Sequence, residues 1–198
     1  MQNKEEMQDF VLSLFKEKLN QNYYFHNEQH TLYVLDKAVE IAHYEKCTEA
    51  DIELLKVAAL WHDAGYINIY FGHEEESCEL SKIYLPDFGY NQKEISIVCG
   101  MIMATKTPQS PQNLLEEIVA DADLEYLGTS SAENKAMLLY KELKYLNPIL
   151  TEKQWNETQI NFIKTHHYFT NYCKTFAEPA KEAYLSKLIK ELNKPKEK

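Results

Sequence analysis

The 198-residue chain carries 31 acidic residues against 21 basic ones, a formal net charge of −10. All the basic residues are lysines, because the sequence contains no arginine, and the last of them form a short tail at 194–198. A chain this acidic, with no basic patch before the tail, is not expected to bind long nucleic acid through its phosphates. A small phosphorylated ligand is compatible with the composition, but it has to be held without a bidentate guanidinium fork.

The cysteines and the first residues predict a cytoplasmic protein. None of the four cysteines belongs to a CxxC pair, so we interpret them as reduced thiols. The first six residues lack the basic start and apolar stretch of a signal peptide, and no apolar run is long enough to span a bilayer. We therefore expect a soluble protein with no membrane partner, and its oligomeric state stays open.

Helical spacing of apolar residues begins at once and predicts a first helix at about 5–19. A second helix is expected to open after Asn27 as its N-cap, and on it His30 shares a face with apolar residues four, eight and eleven positions later. Thr48 and Asp51 form a capping-box pattern at the start of the third helix, whose inner face ends in His62. Both histidines are therefore predicted to point into the core.

The later helices are predicted at about 73–85, 92–103, 111–128, 131–145, 151–172 and 179–192. Ser110 is expected to cap, and Pro111 to begin, the helix that carries Asp121. No alternating strand pattern competes, and no linker divides the chain. The sequence thus predicts one all-α domain.

His62 and Asp63 stand at the end of the most apolar helix, after the run 54–61. Burying an ionised carboxylate beside an imidazole is costly unless both are paired or bind a cation. Taken singly, each candidate has a simpler interpretation, such as a hydrogen-bonded core histidine or a helix cap. However, His30 and Asp121 interrupt the inner faces of two further helices, and three such interruptions together predict a metal site.

This ordered set resembles the HD-domain metal-dependent phosphohydrolases, which hold a divalent metal with a His, an adjacent His-Asp pair and a later Asp. The resemblance is strongest over 24–128 and implies an HD-domain helical bundle with the metal between core helices, completed by C-terminal helices over 129–198. By motif position it implies four ligands: His30, His62, Asp63 and Asp121. Asp123 is expected to support them from outside the ligand shell. Such ligands suit Mn, Mg, Fe, Co or Zn.

The same resemblance implies a reaction in which metal-activated water attacks the phosphorus of a small phosphoester, a nucleotide or related metabolite. His26 resembles the histidine that protonates the leaving oxygen in cyclic-nucleotide phosphodiesterases, although a surface histidine near a cap is the alternative. His73 is a second candidate for that proton transfer. Some small HD nucleotidases have a water-activating Glu where this chain has Tyr66. Glu74, or alternatively Glu75, is our candidate for that role, and the simpler interpretation is that both only complement the helix dipole. Lys106 is the predicted phosphate contact.

Two other function classes compete with a phosphohydrolase. One is an HD oxygenase with a di-iron centre. The lack of histidines between His73 and His166 counts against it. The other is a sensor that binds a nucleotide without turnover. The intact set of predicted metal ligands counts against it.

Overall fold

The computed structural model describes residues 4–193, and over that range the chain is all-α, as predicted. It forms ten helices: α1 (Lys4–Lys18), α2 (Glu28–Tyr44), α3 (Glu49–Trp61), α4 (His73–Tyr84), α5 (Gln92–Thr105), α6 (Leu114–Leu124), α7 (Ala132–Leu146), α8 (Glu152–Thr165), α9 (Asn171–Phe176) and α10 (Glu178–Leu192). Three 3-10 turns follow α3, α4 and α6. The basic tail at 194–198 lies outside the described residues. None of the described helices combines the length and hydropathy that a membrane span requires.

The predicted starts of α2 and α3 are confirmed, each with the capping side chain that the sequence indicated. The side chain of Asn27 accepts the backbone N–H groups of Gln29 and His30 at the start of α2. Thr48 and Asp51 form a reciprocal capping box at the start of α3. Such caps satisfy N–H groups that have no partner within the helix, so a local sequence motif is enough to locate the helix start.

Two helix boundaries differ from the prediction. The helix α6 begins at Leu114 and not at Pro111, because the Asn113 side chain, three residues after Ser110, accepts the first free N–H groups. The helix α8 ends at Thr165, and the chain runs irregularly over 166–170 before α9 begins. Periodicity alone predicted one helix through this break, whose cause is a tertiary contact described below.

The main core lies where α2, α3, α5 and α6 pack against one another. Fully buried aliphatic side chains from these helices fill it, among them Val34, Ile41, Leu55, Ile102 and Ile118. Each contributes about 1.5–3 kcal/mol relative to an exposed position. His30 and His62 lie on the same faces and are also buried, which confirms that both point inward.

The start of α4 packs directly on the end of α3, and Gly65 allows the approach. A Cβ atom at Gly65 would lie 2.0 Å from the carbonyl oxygen of His73. The Gly65 N–H donates to the Ser77 hydroxyl at 2.8 Å, and that hydroxyl donates to the carbonyl of His62 at 2.7 Å. These contacts bring His73 beside Asp63.

Candidate metal centre

Imidazole and carboxylate groups from three helices meet at one point inside the core. His30 comes from α2, His62 and Asp63 from the end of α3, and Asp123 from the end of α6. Nε2 of His30 lies 3.0 Å from Oδ1 of Asp123 and 3.6 Å from Oδ2 of Asp63. Nε2 of His62 lies 3.2 Å from the same Asp63 oxygen. One ligand atom each of His30, His62 and Asp123 lies within 4.8 Å of the others, close enough to hold one metal ion.

Three buried atoms of this cluster have no hydrogen-bond partner among the described residues: Nδ1 of His30, Nε2 of His62 and Oδ2 of Asp63. Nδ1 of His62 lies 2.8 Å from the carbonyl oxygen of Ala59. Because a carbonyl only accepts, Nδ1 must donate, which in neutral imidazole leaves Nε2 as a lone pair directed at the cluster. Leaving two buried acceptors unpaired is costly, and a cation between them removes that cost. The residues therefore fit a metal ion.

The electrostatics of the cluster favour positive charge. Burial acts to lower the pKa of His62, but the carboxylates of Asp63 and Asp123 outweigh it and raise that pKa to about 9. Burial acts to raise the pKa of Asp63, but the neighbouring imidazoles, His62 foremost, hold it well below its usual range. Without a metal, the cluster thus retains a proton among ionised carboxylates, and metal binding at such sites releases protons.

The structure does not bring Asp121 to this cluster, and this corrects the sequence-based ligand set. Its buried carboxylate accepts hydrogen bonds from the Phe169 N–H at 3.0 Å, the Thr170 N–H at 2.8 Å and the Thr170 hydroxyl at 2.7 Å. These donors come from the irregular segment 166–170, so they also explain why α8 ends early. Residues two apart on a helix point in different directions, and Asp123 faces His30 and His62 instead.

His26 lies next to the cluster and is held by Glu142, a residue that the sequence analysis missed. Glu142 on α7 is fully buried and hydrogen-bonds Nδ1 of His26, and it also accepts the backbone N–H of Phe25 at 2.8 Å and of His26 at 3.1 Å. Burial acts to lower the pKa of His26, but the hydrogen bond to Glu142 outweighs it and the pKa is raised. Burial acts to raise the pKa of Glu142, yet the His26 contact keeps it lowered. The pair therefore stores a proton on His26.

Tyr66 connects His26 to His73. Its ring stacks on both imidazoles, with centroid separations of 4.3 Å and 3.9 Å, and its hydroxyl lies 3.2 Å from Nε2 of His26. Nε2 of His73 lies 3.5 Å from Oδ1 of Asp63, and its Nδ1 lies 3.5 Å from the Glu74 carboxylate. His26, His73 and Glu74 are thus brought together in the lining of one cavity beside the cluster.

Lys106 is not brought into the site. Its ammonium group pairs with the Glu75 carboxylate on an exposed part of the surface. Its neighbours Thr105 and Thr107 line the cavity beside the cluster, whereas Lys106 does not. The geometry therefore gives no support to Lys106 as a phosphate contact.

A cavity of about 300 Å³ adjoins the cluster. Its polar lining includes His26, Asp63, His73, Glu74 and Asp123. Much of the remaining lining is apolar and comes from the C-terminal helices α7 and α8: Ala136, Leu139, Leu143, Trp155, Phe162 and Ile163. The cluster thus has direct access to a space large enough for a small molecule.

Comparison with known proteins agrees with this geometry. The family model of the HD domain matches residues 27–125. A predicted HD superfamily hydrolase from an uncultured Thermotogales bacterium has a similar structure, with a TM-score of 0.63, 21% identity, and coverage of 92% of this chain and 89% of that one. Bacillus subtilis YpgQ, solved in complex with ADP, gives a TM-score of 0.64 at 18% identity, covering 96% and 92%. No curated protein gives a significant match. At these identities the two structures establish a shared fold.

Proposed function

The chain belongs to the HD domain family, and on that basis we propose that it is a divalent-metal-dependent phosphohydrolase acting on a small phosphoester. The observation that carries the proposal is the pair of buried, unpartnered atoms, Nε2 of His62 and Oδ2 of Asp63, beside the carboxylate of Asp123. These two acceptors face each other at 3.2 Å, so a cation has to lie between them, and the Asp123 carboxylate beside them adds a further ligand for a metal ion.

In this proposal His30, His62, Asp63 and Asp123 hold the metal, with Asp123 replacing Asp121. Mn, Mg, Fe, Co or Zn suits this mixture of imidazole and carboxylate. When bound, such an ion supplies Lewis-acid polarisation of a phosphoryl oxygen and a lowered pKa for water. The hydrogen bond from Nδ1 of His62 to Ala59 fixes the imidazole in the tautomer that ligation needs.

His26 acts as the general acid. Glu142 holds its Nδ1, so Nε2 is the nitrogen that delivers a proton to the leaving oxygen of the phosphoester. Glu142 therefore acts through His26 and is a positioning residue. Tyr66 limits the movement of the ring by stacking on it.

Glu74 and His73 lie on the other side of Tyr66 and complete the polar part of the cavity. We assign to Glu74 the orientation of the attacking water, because its carboxylate is nearly buried and lines the same cavity as Asp63. His73 holds Asp63 and Glu74 at 3.5 Å each and limits their movement.

The test is hydrolysis of p-nitrophenyl phosphate and bis-p-nitrophenyl phosphate by the purified protein, after chelation and again after addition of Mn²⁺. We expect activity only with the metal. His62→Ala should lose both metal and activity, whereas His26→Ala should keep its metal and lose rate by on the order of 10²–10⁴-fold. His43→Ala is the matched control, since His43 is exposed on α2.

Hydrolysis that survives chelation, or metal occupancy that survives His62→Ala, would refute the proposal. Oxygen uptake with Fe²⁺ in place of hydrolysis would favour the HD oxygenase. Tight nucleotide binding without hydrolysis of any phosphoester would favour the sensor.

A further inference from the structure

We infer that the substrate carries an apolar group beside its phosphoryl group, and this inference rests on the proposed phosphohydrolase function. The cavity that contains Asp63 and Asp123 is continuous with an apolar wall from α7 and α8. A molecule whose phosphoryl group reaches the metal ligands can extend its remaining atoms against that lining without leaving the cavity. The wall therefore selects among phosphoesters.

The wall consists of side chains that offer no hydrogen bonds across most of its area. Ala136, Leu139 and Leu143 follow one face of α7, and Trp155 and Phe162 come from α8. Leu139, Leu143 and Phe162 are only half-buried, so they retain apolar area that a ligand can cover. Covering apolar surface is favourable in proportion to the area removed from water.

The charges of the lining oppose a second phosphate group. Three carboxylates line the cavity, those of Asp63, Glu74 and Asp123, and no lysine is among its lining residues. The nearest candidate along the chain, Lys106, is paired with Glu75. A nucleoside diphosphate would hold one phosphate at the metal and place the other among carboxylates with no lysine to pair with it, and the His26 imidazole is already paired with Glu142.

The polar groups on the α8 side are too few for a nucleoside. Gln159 lines the cavity, but its side-chain oxygen accepts the Tyr184 hydroxyl at 3.0 Å. Thr158 adds one exposed hydroxyl group. Sugar hydroxyls and base edges placed against leucine and tryptophan would lose water without a replacement partner. An alkyl or aryl group has no such cost.

The volume of the cavity limits the size of the apolar group that the substrate can carry. The cavity of about 300 Å³ is about twice the ~150 Å³ cavity that holds benzene in an engineered protein core. A phosphoryl head with a single ring, or with a chain of about six to eight carbons, fits this space. The inferred substrate class is therefore an alkyl or aryl phosphomonoester.

Binding of n-alkylphosphonates, from methyl to octyl, tests this inference without turnover, because a C–P bond replaces the scissile ester bond. Titration calorimetry on the Mn²⁺-loaded protein should show affinity rising about fourfold per methylene until the cavity is full, the factor expected for burying a CH₂ group. The same slope should appear in metal-free protein at lower overall affinity, because the wall sets the slope. AMP and ADP serve as polar comparators and should bind more weakly than hexylphosphonate.

Two variants test whether the apolar wall causes the rise of affinity with alkyl chain length. Leu139→Gln and Leu143→Gln should each weaken octylphosphonate by on the order of tenfold and leave methylphosphonate unchanged, because only the long chain reaches α7. Leu146→Gln is the matched control, since Leu146 is on the same helix but exposed and outside the cavity lining. Thermal denaturation of each variant verifies that it is folded.

An affinity that stays constant along the n-alkylphosphonate series (a flat series), or ADP binding more tightly than hexylphosphonate, would overturn the inference. Hydrolysis of methyl phosphate together with a flat series would keep the proposed function and remove only the apolar substrate class. A steep series without hydrolysis of any phosphoester would remove the proposed function and keep the apolar ligand.

Discussion

Exchanging the carboxylates of Asp121 and Asp123 for amides, one at a time, separates a structural carboxylate from a metal ligand. Asparagine has nearly the same shape as aspartate, so each change removes charge and one acceptor without creating a cavity. The structure predicts opposite outcomes at the two positions, although only one residue separates them in the chain.

Asp121→Asn is expected to lower the stability of the folded protein. The groups that hydrogen-bond this buried carboxylate are donors: the Phe169 N–H, the Thr170 N–H, the Thr170 hydroxyl and the Cys173 thiol. Asparagine can turn its oxygen toward Thr170 in the Oδ2 position, which is also 3.1 Å from the Phe169 N, but its NH₂ group then replaces the oxygen 3.0 Å from that N–H, and the two donors oppose each other. A hydrogen bond to a charged group is worth about 1.5–3 kcal/mol. At about 2–4 °C per kcal/mol for a chain of this size, we expect Tm to fall by about 5–10 °C, with metal binding retained.

Asp123→Asn is expected to weaken metal binding. Its carboxylate lies 3.0 Å from Nε2 of His30 and 3.7 Å from Nε2 of His62, so the change removes a negative charge from the ligand cluster. We expect Mn²⁺ affinity to fall by more than about 100-fold, since even outer-shell partners account for about 10–100-fold. The stability of the metal-free protein should change by no more than about 1 kcal/mol, because asparagine keeps an acceptor for His30.

The assay combines thermal denaturation after chelation with Mn²⁺ titration by calorimetry. Wild type and both variants are measured at the same pH and ionic strength. If Asp121→Asn lost the metal at an unchanged Tm while Asp123→Asn bound it normally, the ligand assignment would be wrong and motif position would have been the better guide.

Three further outcomes are expected. Glu142→Gln should lower kcat by on the order of 10²-fold with KM and metal occupancy unchanged, because it removes the charge that holds the proton on His26. Glu133 is exposed on the same helix, so the control Glu133→Gln should match wild type in steady-state kinetics. Lys106→Ala should leave KM unchanged for p-nitrophenyl phosphate, and a severalfold rise would restore this lysine as a substrate contact. Burial, together with a nearby ammonium group, lowers the pKa of His166 to about 3 in the folded state. The unfolded chain takes up a proton below about pH 6.5 that the folded chain does not, so stability should fall by about 1–2 kcal/mol between pH 6.5 and pH 5. Urea denaturation measures that fall, which should be smaller by this amount in His166→Gln.

The sequence by itself determined the features that depend on neighbouring residues along the chain. Capping motifs such as Asn27 and the Thr48–Asp51 pair located helix starts, because a cap satisfies N–H groups within three residues of itself. Spacing of three and four residues placed His30 and His62 on inward faces. The all-α class and the ligand types follow from these local rules.

Only the tertiary structure decided which partner each inward residue meets. Motif position favoured Asp121 over Asp123 as the ligand, whereas the structure's arrangement of the two depends on donors 48 and 49 positions beyond Asp121. Glu142 meets His26 from 116 positions away, although its place among leucines on α7 was a visible anomaly. Helical periodicity tells which face of a helix is buried, but the partner on that face depends on how separate helices pack, and packing distance is unrelated to distance along the chain.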